Sequence, residues 1–184
     1  RSKKKVVQLA RQLAEYTGKI TFYVFPFTEI QEAIADHCPK DQLTIIMRRM
    51  MMKGAERLAL QSQSQALVTG ESIGQVASQT MESLTVTNAA VDLPVFRPLI
   101  GMDKEEIIAS ARGIGTYNIS IEPYTDCCTL FVPRHPQTKP KLNEIEASES
   151  QVDFDALIGK ALEQIEVIEV QPQRLLEGSN SSKQ

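Results

Sequence analysis

The sequence ALVTGESIGQVASQT (residues 66–80) places a short apolar run directly before a loop rich in glycine, hydroxyl and amide groups. The run ALVT predicts a buried strand. In open α/β sheets, ligands bind outside the carboxyl ends of the strands, and Gly70 would let a ligand approach the backbone without meeting a Cβ. The side chains that can hydrogen-bond a ligand there are Gln75, Ser78 and Gln79. The stretch therefore predicts a binding loop, and an ordinary strand-turn-helix joint is the alternative.

Helix-like and strand-like patterns alternate on both sides of this loop. They predict helices over 3–16, 28–38, 44–61, 75–84, 103–113 and 154–167, and strands over 20–27, 66–69 and 93–100. The alternation indicates βαβ units and a mainly parallel sheet with helices on both faces.

Two local details carry specific expectations. Thr28 is predicted to cap its helix, with Gln31 as its capping-box partner. In the next helix, one apolar stripe is predicted to face the core and consists of Met47, Met51, Ala55 and Leu58.

Composition excludes several classes of protein. With 184 residues, of which 42% are hydrophobic, the chain can form one core, and it has no apolar run long enough to span a membrane. The amino terminus lacks the features of a signal peptide, and an odd number of cysteines suits a reduced, cytoplasmic protein. Residues 1–140 hold 16 Lys and Arg against 14 Asp and Glu, which excludes a polybasic nucleic-acid module but allows local phosphate-binding patches.

Cationic side chains near helix starts are candidates for binding an anion. Lys104 begins a predicted helix, where the helix dipole disfavours a cation unless an anion is shared with it, although a solvated surface lysine is the alternative. Arg48 and Arg49 are adjacent, so they cannot lie on one helix face. We expect one to face the crevice and the other to face solvent or RNA.

Two adjacent cysteines lie in a proline-rich stretch, IEPYTDCCTLFVPRHPQTKPK (121–141), that is predicted to be extended. Adjacent cysteines do not favour a metal site, so none is predicted. Cations such as Arg134 would favour an accessible thiolate at Cys127 or Cys128, whereas two buried thiols are the alternative. Cys38 is predicted to be structural, and 178–184 is predicted to be disordered.

Four ordered motifs resemble the PP-loop domain of bacterial tRNA 4-thiouridine synthetases, the ThiI family. The motifs are MRRMMM (47–52), TGESIGQVASQT (69–80), RPLIGMDKEEII (97–108), and PYTDCCT (123–129) followed by PRHPQTKPK (133–141). The resemblance extends over about 155 residues. It implies a Rossmann-like adenine nucleotide alpha hydrolase domain with a parallel sheet.

The resemblance implies an ATP-dependent tRNA sulfurtransferase. Such an enzyme adenylates uridine 8 of tRNA, replaces O4 with persulfide sulfur from a cysteine desulfurase, and also supplies sulfur to the ThiS-type carrier of thiamine thiazole synthesis. It further implies ATP with Mg²⁺ and a homodimer. Nucleotide-binding positions carried over by the resemblance are Arg48, Gly70 and Gln79. Lys104 would stabilise phosphate charge, and Cys128, or else Cys127, would handle sulfur.

The sequence also departs from the family pattern. The Ser-Gly-Gly-x-Asp-Ser nucleotide loop is missing, and no two glycines are adjacent. We therefore interpret residues 1–120 as a PP-loop domain without its first strand and nucleotide loop, 121–152 as a Cys-containing, Pro-rich segment, and 153–184 as a C-terminal helix and disordered tail. This chain alone is expected to be inactive. A different PP-loop enzyme and a non-catalytic RNA-binding or dimerisation module are the alternatives.

Overall fold

The computed structural model describes residues 2–74, 79–123 and 137–172. In chain order the described elements are α1 (Ser2–Thr17), β1 (Ile20–Val24), α2 (Thr28–His37), a 3-10 turn (Lys40–Gln42), α3 (Leu43–Gln61), β2 (Leu67–Val68), α4 (Met81–Asn88), β3 (Val95–Phe96), α5 (Lys104–Gly113), α6 (Tyr117–Ser120), α7 (Leu142–Glu149), α8 (Phe154–Glu163) and β4 (Glu166–Val170). None of these described helices is both long enough and apolar enough to cross a membrane.

The chain divides into two compact units, each built from separated stretches of sequence. The first unit holds α1, β1, α5, α6 and β4, and the second holds α2, α3, β2, α4, β3, α7 and α8.

In the first unit, the amphipathic helix α1 packs on the two-stranded sheet of β1 and β4. Ala10 and Ala14 on α1 are buried. Gly18 ends the helix as predicted, because its φ of +79° is readily adopted only by glycine and lets the chain turn into β1.

Strand β4 was not predicted, since the helix expected over 154–167 ends at Glu163. The sequence EVIEV (166–170) contains three β-branched residues, which favour a strand. It pairs antiparallel with β1, with Ile20 opposite Val170. This pair therefore departs from the mainly parallel sheet that was predicted.

In the second unit, α3 is surrounded by α2, α4, α8 and β2. The buried core residues are Ile30, Ile34, Cys38, Ile45, Ile46, Met50, Val86, Ile145, Phe154, Ile158 and Ala161. The predicted stripe on α3 is wrong, because Met51 is 43% exposed and Ala55 is also exposed. A helix with neighbours on several sides buries several faces, so its buried positions do not follow one stripe.

The predicted capping box at α2 is also wrong. Thr28 is the first residue of the helix, and the residue before it, Phe27, makes no side-chain cap bond. Phe27 instead packs against the core and lies 6.3 Å from Phe25 between ring centroids. A half-buried aromatic side chain therefore occupies the cap position of α2.

Strands β2 and β3 form the predicted parallel pair, although both are shorter than expected. Leu67 lies opposite Val95, and Val68 lies opposite Phe96. The backbone N–H of Thr69 donates to the carbonyl of Phe96 at 3.0 Å, so the pairing continues to the end of both strands. Because the strands are parallel, the residues that follow them leave from the same edge.

Helix α7 (Leu142–Glu149) lies within the segment 121–152 that was interpreted as Cys-containing and Pro-rich. Its Ile145 is fully buried in the core. Cys127, Cys128 and the predicted disordered stretch 178–184 lie outside the described residues.

Candidate functional site

The carboxyl ends of β2 and β3 bring two polar segments of the second unit together. Thr69, Gly70 and Glu71 follow β2, and Arg97 follows β3. Arg48 reaches the same place from α3, because it contacts Glu71. This is the position at which an open α/β sheet binds its ligands.

The carboxylate of Glu71 joins the two arginines. It accepts a hydrogen bond from Nη2 of Arg48 through Oε1, and from Nε of Arg97 through Oε2 at 2.7 Å. The Thr69 hydroxyl donates to the same Oε2 at 2.9 Å. The side chains of Arg48, Glu71 and Arg97 are only 16%, 13% and 15% exposed. We call these three residues the arginine–glutamate cluster.

The charges in this cluster do not balance, because two guanidinium groups share one carboxylate. Burial lowers the pKa of Arg48, and the like charge of Arg97 lowers it further. Burial also lowers the pKa of Arg97. Arginine nevertheless stays protonated in proteins, so the cluster carries an excess positive charge. An anion placed beside it would be attracted to that charge.

One N–H donor of the cluster also lacks an acceptor among the described residues. Nη1 of Arg97 donates to Oδ1 of Asn88 at 3.3 Å, and Nε is used by Glu71. Nη2 of Arg97 is buried, and within the described ranges no atom accepts a hydrogen bond from it. A buried donor without an acceptor is costly, so this atom is suited to an additional acceptor.

The loop after β2 is closed by its own hydrogen bonds. The N–H of Ser72 donates to Oε1 of Gln79 at 3.1 Å, and the Ser72 hydroxyl donates to the carbonyl of Met102 at 2.8 Å. The N–H of Gly74 donates to the carbonyl of Gln79 at 3.2 Å. The predicted site residue Gln79 therefore holds the loop that carries Glu71, and its contact with a nucleotide stays a prediction.

Gly70 lies exposed in the same loop. A Cβ built on it would meet no described atom within 4 Å, and its φ is not in the left-handed region. The fold described here gives no steric reason for glycine at this position. Close approach of a ligand is a reason that remains, as the sequence predicted.

The neighbouring arginine of α3 has a different role from the one predicted. Arg49 is 2% exposed, so the expectation that one of the two arginines faces solvent or RNA is wrong. Its Nε and Nη2 donate to the two carboxylate oxygens of Glu149 on α7, at 2.5 Å and 3.2 Å. Its Nη1 donates to the carbonyl of Val86 on α4. Arg49 thus ties α3 to two neighbouring helices.

The remaining predicted site residues lie elsewhere. Lys104 is exposed, begins α5 and belongs to the first unit. Cys127 and Cys128 lie outside the described residues. The roles of these three residues stay predictions.

Two cluster residues were missed by sequence reasoning. Glu71 lies inside the loop that was singled out, but only the glycine and amides of that loop were chosen. Arg97 was hidden inside the strand predicted over 93–100. A shorter strand, bounded by Pro94 and Pro98, would have placed Arg97 at the carboxyl end of β3.

Comparison with known proteins gives consistent matches. The family model described as "Thiamine biosynthesis protein (ThiI)" matches residues 1–154. The "Probable tRNA sulfurtransferase" of Acetivibrio thermocellus is 57% identical over 170 residues, which cover 92% of this chain and 43% of the relative. The protein of the same description from Moorella thermoacetica is 53% identical over 173 residues, covering 94% of this chain and 44% of the relative.

A solved structure supports the fold. The crystal structure of a 4-thiouridine synthetase–RNA complex with bound ATP matches with a TM-score of 0.88 and 37% identity, over 91% of this chain and 44% of that one. The predicted Rossmann-like α/β class is thereby confirmed. The chain spans less than half the length of these relatives. Because the family model covers most of its length, the chain belongs to the thiamine biosynthesis protein (ThiI) family.

Proposed function

We propose that the protein containing this chain is an ATP-dependent tRNA sulfurtransferase. It would adenylate uridine 8 of tRNA and replace O4 with sulfur to give 4-thiouridine. The observation that carries the proposal is the arginine–glutamate cluster, which places excess positive charge beside the open backbone at Gly70. The relatives named tRNA sulfurtransferase and the ATP-bound 4-thiouridine synthetase–RNA complex support it.

The described residues fit a nucleotide at this edge of the sheet. Arg48 offers a guanidinium to phosphate oxygens, and the exposed backbone of Gly70 leaves room for a ligand. Gln79 accepts a hydrogen bond from the backbone of Ser72 and so holds the loop that follows Gly70. When bound, ATP supplies the adenylyl group that turns the uridine oxygen into a leaving group, and pyrophosphate is released. Lys104 would stabilise the phosphate charge that develops in this step.

Sulfur transfer is assigned to the cysteine pair. Cys128, or else Cys127, would receive sulfane sulfur as a persulfide from a cysteine desulfurase. A second thiol, from the other cysteine or from a partner protein, would form a disulfide with this cysteine and so supply two electrons. The sulfur would then displace AMP from the activated uridine at the sulfide level. A ThiS-type carrier in thiamine thiazole synthesis would be a second acceptor. Mg²⁺ would accompany ATP. We also propose that the protein forms a homodimer.

Release of pyrophosphate from ATP tests this function in the complete gene product. We expect release to depend on tRNA that carries uridine at position 8, and to be lost when that base is replaced by cytidine. Arg48→Met should abolish release. Arg57→Met is the matched control, because Arg57 is also on α3 and also forms an ion pair, with Asp155, at 2.5 Å.

Release that continues with the cytidine tRNA would contradict uridine 8 as the acceptor and would favour a different PP-loop enzyme. Failure of the complete gene product to bind ATP would contradict the enzyme and favour a non-catalytic RNA-binding module. Equal loss in Arg48→Met and Arg57→Met would show that the loss arises from damage to α3.

A further inference from the structure

We propose that Arg97 is a second phosphate-binding residue of this site, held in position by Glu71, and that a phosphate group of the bound nucleotide accepts a hydrogen bond from its guanidinium. The inference rests on the proposed function, because it takes ATP as the ligand. It adds a residue that was not identified from the sequence.

Arg97 and Arg48 contact the same carboxylate from different elements of the fold. Arg97 follows β3 and Arg48 lies on α3, yet both guanidinium groups contact one carboxylate, that of Glu71. Two guanidinium groups that contact the two oxygens of one carboxylate both lie within a few ångströms of it. A phosphate group has similar dimensions, so both guanidinium groups could contact one phosphate. The two arginines therefore form a pair that one anion can engage.

Arg97 uses some of its N–H groups within the protein and has another donor to offer. Glu71 uses its Nε and Asn88 uses its Nη1, while its buried Nη2 has no acceptor among the residues that the structure describes. The two existing contacts fix the plane of the guanidinium, so the direction of the remaining N–H groups is fixed as well. A planar donor with a fixed orientation recognises phosphate better than a flexible ammonium group does.

The charge of the arginine–glutamate cluster also favours an anion. The cluster holds two positive charges against one negative charge, all largely shielded from solvent. Asn88 and Thr69, which also contact the cluster, are neutral. A phosphate oxygen would place negative charge beside the two arginines and would supply the acceptor that Nη2 of Arg97 lacks among the described residues. Neither a neutral ligand nor a cation would do both.

Competition binding to the complete gene product tests the assignment. The probe is a fluorescent ATP analogue, displaced by ATP, by AMP or by adenosine, for the wild type, Arg97→Met and Arg97→Lys. We expect Arg97→Met to weaken ATP binding about tenfold or more, as befits loss of a hydrogen bond to a charged group. Adenosine, which has no phosphate, should bind as tightly as to the wild type. Arg97→Lys should recover only part of the affinity, because one ammonium cannot keep the planar arrangement.

The controls separate the possible outcomes. Arg57→Met should bind all three ligands like the wild type, and circular dichroism should show that every variant is folded. Equal weakening of ATP and adenosine binding would overturn the proposal, because it would mean a structural role for Arg97. Unchanged ATP binding with weakened tRNA binding would also overturn it, since the phosphate would then belong to RNA.

Failure of this proposal is distinguishable from failure of the proposed function. If the wild type binds ATP and Arg97→Met binds it equally well, only the assignment of Arg97 is wrong. If the wild type does not bind ATP, the proposed function is wrong and the assignment is wrong with it.

Discussion

Arg49 and Glu149 form a buried bidentate ion pair that joins α3 to α7. The residue before Arg49 belongs to the arginine–glutamate cluster, so the ion pair fixes the rotation of α3 that points Arg48 toward Glu71. Successive helical residues differ by about 100° in direction, and burial of one arginine therefore sets the direction of the other.

Removal of one partner of this pair should strongly destabilise the fold. Arg49→Met leaves Glu149 buried, with Lys53 at 3.5 Å as the cation that remains beside it among the described residues. We expect a loss of about 3–5 kcal/mol in the free energy of unfolding, measured by urea denaturation. The double variant Arg49→Met/Glu149→Leu should recover much of the loss, because no unpaired charge remains. A single variant as stable as the wild type would contradict the role assigned to this pair.

Glu71→Gln tests the charge balance of the cluster. The amide keeps the shape of the side chain but removes the carboxylate charge that both guanidinium groups contact. We expect a loss of about 2–3 kcal/mol in unfolding free energy, which is typical of hydrogen bonds to charged groups. Thr69→Val removes one hydroxyl hydrogen bond to the same carboxylate and leaves both arginine contacts in place, so it should cost less, about 1.5 kcal/mol. Equal effects of the two variants would show that charge is not what stabilises the cluster.

Gly70→Ala separates folding from ligand binding. A Cβ at this position meets no described atom within 4 Å, so the melting temperature should not change by more than about 2 °C. ATP binding should nevertheless weaken if the nucleotide lies against this backbone.

Gly159→Ala is its matched control, because a Cβ there also meets no described atom and the residue is on α8. Alanine inside a helix should raise stability by about 0.5–1 kcal/mol and leave ATP binding unchanged. Unaltered ATP binding in Gly70→Ala would remove Gly70 from the site.

Cys38 should make the fold sensitive to alkaline pH. Burial raises the pKa of its thiol above the ordinary value of 9.0, and the charge of Glu149 raises it further. The unfolded chain ionises above about pH 9 while the folded chain keeps its proton, so stability is lost as the pH rises through that range. The loss is limited to about 1.4 kcal/mol per pH unit for one proton.

Urea denaturation at pH 7, 9 and 10 measures this effect as the difference between the wild type and Cys38→Ala. Because both proteins retain Cys127 and Cys128, the difference reports Cys38 alone. A stability difference that does not change between pH 7 and pH 10 would contradict the shifted pKa.

Local patterns predicted the elements of this fold better than they predicted its long-range contacts. Helix α3 was predicted close to its observed bounds, and strands β2 and β3 were predicted in the right places but longer than they are. Strand β4 was missed because its partner β1 is far away in sequence. Short strands gain their stability from pairing, which local sequence does not show.

The same limit applies to the candidate site. The loop with Gly70 could be predicted because ligands bind at the carboxyl ends of strands, and the strand before this loop is visible in the local sequence. Adjacent arginines look alike in sequence, and only Glu149, which is 100 residues away, shows that Arg49 is buried. The contact between Arg97 and Glu71 likewise depends on strand pairing, so the sequence alone could not assign it.

The content of 4-thiouridine in tRNA tests the central claim most directly. It would be measured by mass spectrometry in cells that lack their own enzyme and carry the complete gene product, either as wild type or with Arg48→Met, Cys127→Ala or Cys128→Ala. We predict that the wild type restores the base, that Arg48→Met does not, and that one of the cysteine variants also fails. Cells that express soluble wild-type protein but contain no 4-thiouridine would contradict the proposed function.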